Sequence, residues 1–180
     1  MTETNIRTVY LTDILRTFRM YKSLADRALA QVADADLNTL VDPDANSLAI
    51  IIKHVAGNLR SRFTDFLTAD GEKPDRNRDG EFEMAAPASR EQLLAWWNEG
   101  FAIALASIEA LVAEDLDRTI HVRQEAFLVV EALDRSAAHT AYHVGQIVFL
   151  AKHLAGPGFT SLTIPKGRST GVKGAYKKNS

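Results

Sequence analysis

His139 and His143 lie four residues apart in the segment SAAHTAYHVGQ. On a helix that spacing puts both imidazoles on one face, close enough for each to place a ring nitrogen on one cation. Helical steps away from the pair pass Leu128, Ala132, Arg135, Tyr142, Gln146 and Leu150, so the pair sits in a mostly apolar stripe that should face the interior. A third histidine, His54 in IIIKHVAGN, falls at the margin of another apolar helical stripe, from which a side chain can reach inward. Three neutral imidazoles with an open fourth position form the ligand set of an exchangeable or catalytic zinc, nickel or similar ion. An H-x-x-x-H pair alone also arises in helices that bind nothing, and a lone mid-helix histidine is commonly a core residue, so the reading rests on the combination.

The chain contains no cysteine, which removes thiolate ligands and disulfides and requires any nucleophilic thiol to arrive on a small molecule. Asn58, one turn past His54, and Arg135, Tyr142 and Gln146 around the last pair are candidates for orienting a ligand or substrate, although each reads equally well as an ordinary hydrogen-bonding residue of a helix interface. Of the acids near the last pair, only Glu131 and Asp134 fall close, both before it, so no carboxylate general base is evident and no catalytic residue is assigned. His121, in an extended stretch, and His153, at a helix end, stay outside the site. The run DRNRDG at 75–80 matches the start of a calcium-binding EF-hand loop, but its twelfth position, which should be glutamate, is Ala86. Trp96, Trp97 and Phe101 have no accompanying basic patch and read as core or dimer-contact residues.

The elements that must position these residues are helices. Apolar residues from Val9 to Val32 recur at three- and four-residue steps and predict helix one over 6–33. Pro43 and neighbouring Asp and Asn residues break the pattern, and Ser47 can cap helix two, which carries Leu48, Ile51, Ile52, Val55, Leu59, Phe63 and Phe66 inward. Residues 68–88 are too rich in Gly, Pro and Asp for a helix and too long for a tight connection. Ser89 with Gln92 reads as a capping box opening helix three, which ends near Ala113. The run RTIHVR at 118–123 alternates with period two and reads as an extended connector, and helix four spans 125–154, stopped by Gly156 and Pro157. The expected fold is all-α, a four-helix bundle over 1–160 with a long polar loop between helices two and three and a basic tail over 161–180.

With 180 residues, 46% of them hydrophobic, one domain can bury a continuous core without cross-links. A formal charge of −2 offers no general attraction to nucleic acid or anionic lipid, and the five Lys/Arg of 162–180 read as a solvated tail. No apolar leader or run of membrane-spanning length is present, so a cytoplasmic location is expected, with neither a membrane nor a nucleic-acid partner.

The segments HVAGNLRSRFTDFLTADGEKPDRNRD, HTAYHVGQIVFLAKHL and SLTIPKGRS, taken together, resemble the DinB-like superfamily, in its branch of bacterial proteins assigned only to a domain of unknown function. The resemblance runs from helix one to the tail. It implies a bundle of the DinB/YfiT-like type, a divalent metal held by the helix-two histidine and the two histidines of the last helix, here His54, His139 and His143, and homodimers. It also implies an activity: relatives include transferases and isomerases that use bacillithiol, mycothiol or glutathione, in which the metal activates the thiol. The function expected is therefore metal-dependent S-transfer to a small electrophile, with a low-molecular-weight thiol as second cofactor; a non-catalytic metal-binding stress or structural bundle and a metal-dependent hydrolase are the alternatives. His143→Ala is expected to abolish stoichiometric metal binding and lower the melting temperature, while His121→Ala leaves binding intact; equal metal content in the two variants, by elemental analysis, would sink the assignment.

Overall fold

The computed structural model describes residues 5–170. Four helices dominate it: α1 (Ile6–Leu29), α2 (Leu48–Phe63), α3 (Arg90–Glu109) and α4 (Val129–Ala155). Each amphipathic stripe is buried, and Phe18, Leu29, Leu48, Ile52, Leu59, Phe63, Trp97, Phe101 and Leu133 form one fully enclosed core. The molecule is thus a mostly helical bundle carrying one small sheet. Asn5, Ser47 and Ser89 cap α1, α2 and α3, each accepting a hydrogen bond from a first-turn amide.

Helices pack chiefly as two pairs, α1 with α4 and α2 with α3, and α2 touches α4 over a shorter stretch. Two polar ties join α1 to its neighbours, the first to α3 and the second to α4. Trp97 Nε1 donates to Asp26 Oδ1 at 2.9 Å, and Tyr10 Oη donates to Asp134 Oδ1 at 2.7 Å. The α2–α3 pair is close because Gly100 meets Ala56: a Cβ on Gly100 would stand 3.0 Å from the Ala56 Cα and carbonyl oxygen.

The connector between α3 and α4 differs from expectation. Residues 119–122 are extended, but they pair with 125–128, which periodicity assigns to the first turn of helix four: β1 (Thr119–Val122) and β2 (Glu125–Leu128) form an antiparallel hairpin, with Ile120 opposite Phe127. Helix four therefore begins at Val129, one turn late, because Ile120 and Val122 bury their side chains only as a strand, and β2 satisfies the β1 backbone. Helices one and three also end early, at Leu29 and Glu109, each running into turns that break the ladder. The hairpin turn places Arg123 and Gln124 at φ 55° and 65°, left-handed values that are costly for side-chain-bearing residues. Asp70 offsets that strain by accepting from both of their amides, each at 2.8 Å.

Beyond α4 the chain stays on the bundle as far as Leu162, which packs against the core and whose carbonyl accepts from Arg27. The last ten residues of the expected basic tail lie outside the described residues. Among the described residues, no helix is long and apolar enough to cross a membrane.

Replacing an exposed helical glycine by alanine normally stabilises a helix. Gly100→Ala is expected instead to destabilise the protein by about 1–3 kcal/mol, because the neighbour that must yield is backbone; thermal or urea unfolding checks the sign.

Candidate metal centre

The three histidines converge where α2 meets α4. His54 Nε2 and His143 Nε2 each lie 3.2 Å from His139 Nε2, and one nitrogen from each ring falls within 4.8 Å of the others. Both outer rings have their proton fixed on the far side. His54 Nδ1 donates to Glu81 Oε2 at 2.8 Å, and His143 Nδ1 donates to Gln146 Oε1 at 2.8 Å. Each Nε2 is therefore left as a lone pair aimed at His139, whose own Nε2 stands between them. Nitrogen ligands at about 2.1 Å around a tetrahedral ion are spaced about 3.4 Å apart, close to the separation found here. One cation among the three would satisfy all the lone pairs at once, so the donor set fits a divalent ion. His139 also stays in its ligand form: burial, then the nearby His143, His54, Arg76 and Arg62, pushes its pKa down to about 3. Burial likewise lowers His143, against the hydrogen bond with Gln146.

The residue that sequence reasoning missed is Glu81. It lies in the polar stretch between α2 and α3, in a short 3-10 turn (Asp79–Phe82) that packs on α2. Its carboxylate is buried, and burial alone would raise its pKa; hydrogen bonds from His54 and Arg76 reverse this and hold it below the usual range. Arg76 clamps it with two bonds, Nε to Oε1 at 2.8 Å and Nη2 to Oε2 at 2.9 Å. Both oxygens are thereby filled. The approach depends on Gly57, since a Cβ there would stand 2.4 Å from Glu81 Oε1. Phe82 backs the His54 ring at 4.6 Å, and Lys53 Nζ donates to the carbonyls of Gly80 and Glu83, so both sides of Glu81 are tied to α2. The available signal was that the long polar segment is too long to be a mere connection; nothing local marked Glu81 within it.

The other candidates are distributed as follows. Asn58 and Arg135 line, together with His54 and His139, an open pocket of about 150 Å³. Gln146 acts behind His143 and does not reach the pocket. Tyr142 is 63% exposed with its ring edge-on to His143 at 5.0 Å, and it lies outside the pocket lining. His121 is exposed on β1, and His153 is exposed at the end of α4. Among the described residues the three histidines are the group of His and acids placed to share an ion, and the EF-hand-like run 75–80 instead sends Arg76 inward.

Residues 5–168 match the family described as "Protein of unknown function (DUF1572)". The chain belongs to that family. The match covers all four helices, the three histidines and Glu81, so the entire centre lies within the family's domain. No curated protein matches the chain.

If Glu81 sets the orientation of His54, then displacing it must cost metal affinity. Gly57→Ala is expected to weaken metal binding roughly tenfold to a hundredfold, in the range of other carboxylates that orient a ligating histidine. Competition with a chelating dye measures it, and unchanged affinity would show that Glu81 does not position the ring.

Proposed function

We propose that this protein is a metal-binding member of the DinB-like superfamily, with a bundle of the DinB/YfiT-like type, that holds one divalent transition ion, zinc or nickel, on His54, His139 and His143 and catalyses metal-dependent transfer of a low-molecular-weight thiol to a small electrophile. The observation that carries the reading is the convergence of three Nε2 atoms beside an open pocket. A bound +2 ion supplies Lewis acidity, which lowers the pKa of a thiol or of water and so provides a nucleophile near neutral pH. The chain itself, without cysteine, supplies orientation: Glu81 and Arg76 fix His54, Gln146 fixes His143, and the pocket admits the reactants.

Two alternatives fare less well on specific grounds. A purely structural ion would need no opening, yet His54 and His139 border a cavity. A hydrolase of the kind that uses a carboxylate base would need a free oxygen near the histidines, and both oxygens of Glu81 are occupied by Arg76 and His54. The homodimer reading draws support from Tyr142 and Phe149, 63% and 73% exposed and two turns apart on α4.

Elemental analysis of the purified protein, combined with thiol consumption assays on an electrophilic test substrate, tests the proposal. The expected outcome is one ion per chain and thiol consumption that disappears on chelation and returns with added metal. Metal without thiol turnover would reduce the protein to a metal-binding bundle, and absence of metal would return the histidines to the core.

A further inference from the structure

The wall of the pocket carries more positive charge than its internal pairing uses. Five guanidinium groups line it, from Arg62, Arg76, Arg78, Arg123 and Arg135. Three of them are occupied. Glu72 accepts from Arg62 at 3.0 Å, from Arg123 at 3.1 Å and from Arg76 at 3.4 Å, and Arg76 also holds Glu81. The other two have no carboxylate partner among the described residues. Arg78 lies over the Phe82 ring at 5.7 Å and Arg135 over the Phe127 ring at 5.2 Å, contacts that hold the guanidinium plane while leaving its N–H donors open.

A second, independent observation concerns neutral groups in the same wall. Asn58 and Ser136 are 9% and 8% exposed, line the pocket, and make no side-chain hydrogen bond within the described residues. Largely buried amides and hydroxyls ordinarily find a partner, and the partner left to these two is whatever fills the cavity, solvent or ligand. Both can offer a donor to a cavity whose remaining polar lining is guanidinium and imidazole. The charged groups that line the space are all cationic, and the Asn58 amide and Ser136 hydroxyl can add donors beside them, so what the lining lacks is a negatively charged acceptor.

We propose that the pocket binds the anionic group, a carboxylate or a phosphate, of the small molecule that reacts at the histidine centre, with Arg78, Arg135, Asn58 and Ser136 as its receptors. The inference rests on the histidine centre being the reacting site. The cavity, about 150 Å³, is of the size that admits a benzene-sized molecule, so it takes the charged end of a small acid or phosphate ester while the remainder extends through the opening. The two free guanidinium groups come from different parts of the chain, the polar segment between α2 and α3 and helix α4, so an anion between them would also tie that segment to the bundle.

Calorimetric titration of malonate and of inorganic phosphate into zinc-loaded protein at low salt tests this. Saturable binding of at least one anion is expected, weakened roughly tenfold by either Arg78→Gln or Arg135→Gln at unchanged zinc content and weakened further by added sodium chloride. Preference for malonate would assign a carboxylate substrate and preference for phosphate a phosphorylated one. Asn58→Leu should reduce anion binding without lowering the melting temperature, because the amide has no protein partner to lose; a residue with a merely structural role would show the reverse. Absence of saturable binding to fully zinc-loaded protein overturns the anion site and leaves the metal centre standing. So does binding that survives both arginine changes and vanishes only in His143→Ala, which makes the ion the sole receptor. If the protein takes up no zinc, the metal reading fails by itself, and the same titration on the metal-free chain still decides the anion site through its dependence on Arg78 and Arg135.

Discussion

The buried contact between Glu81 and His54 is the constraint on which the arrangement of the site depends. It joins the 3-10 turn of the polar segment to the middle of α2, across 27 residues of chain. Side chains of His54, Glu81 and Arg76 are 5%, 8% and 4% exposed, so the three groups have given up most of their hydration. Such burial is tolerated only when each charge finds its full set of partners. Glu81 finds them in the Arg76 fork and the His54 N–H, and the absent Cβ of Gly57 provides the room. Removal of Arg76 would leave the buried Glu81 charge without its cation, and removal of His54 would take away one of its N–H donors, which is why the loop, the glycine and the helix act as one unit.

From that contact the electrostatics of the pocket follow outward. Arg76 shares Glu72 with Arg62 and Arg123, and Arg123 is delivered by a hairpin turn whose left-handed residues are stabilised by Asp70. Strained backbone next to a functional site is a recurrent association, and here the strain has a visible consequence, since it places a cation at the pocket rim. Burial first, then His143 and His54, with Arg76 and Arg62 adding to them, disfavours protonation of His139 and keeps it in its ligand form. A divalent ion added to this surrounding would be repelled by the arginines and attracted by the imidazoles, with the Glu81 carboxylate supplying negative charge one bond removed from His54. Positive potential of this kind would favour an anionic reactant, so the selection of such a ligand and the holding of an ion would be linked through the same network.

Much of the architecture was legible from one-dimensional pattern. The 3.6-residue periodicity places four helices, Ser47 and Ser89 mark two starts, and the i, i+4 spacing of His139 and His143 puts them on one face; each of these is a local property, decided within a turn or two of chain. The pairing of His54 with them required only that two inward-facing helices meet. Misjudged boundaries arose where a nonlocal partner outweighed local propensity. Residues 125–128 can begin a helix in isolation, but β1 offers them a ladder, with half-buried Phe127 opposite buried Ile120, and the pairing wins.

By itself the sequence determined the helices and the three imidazoles, because helix formation and same-face spacing are governed by neighbours a few residues away. The roles of Glu81, Arg62, Arg76, Arg78 and Arg123 were decided by tertiary structure alone. Glu81, Arg76 and Arg78 reach the site from a segment that follows no period, and the placement of the whole group depends on which charges are buried together, on a missing Cβ at Gly57 and on two left-handed residues held by Asp70. Burial of charge is a property of the completed fold, and no spacing along the chain encodes it.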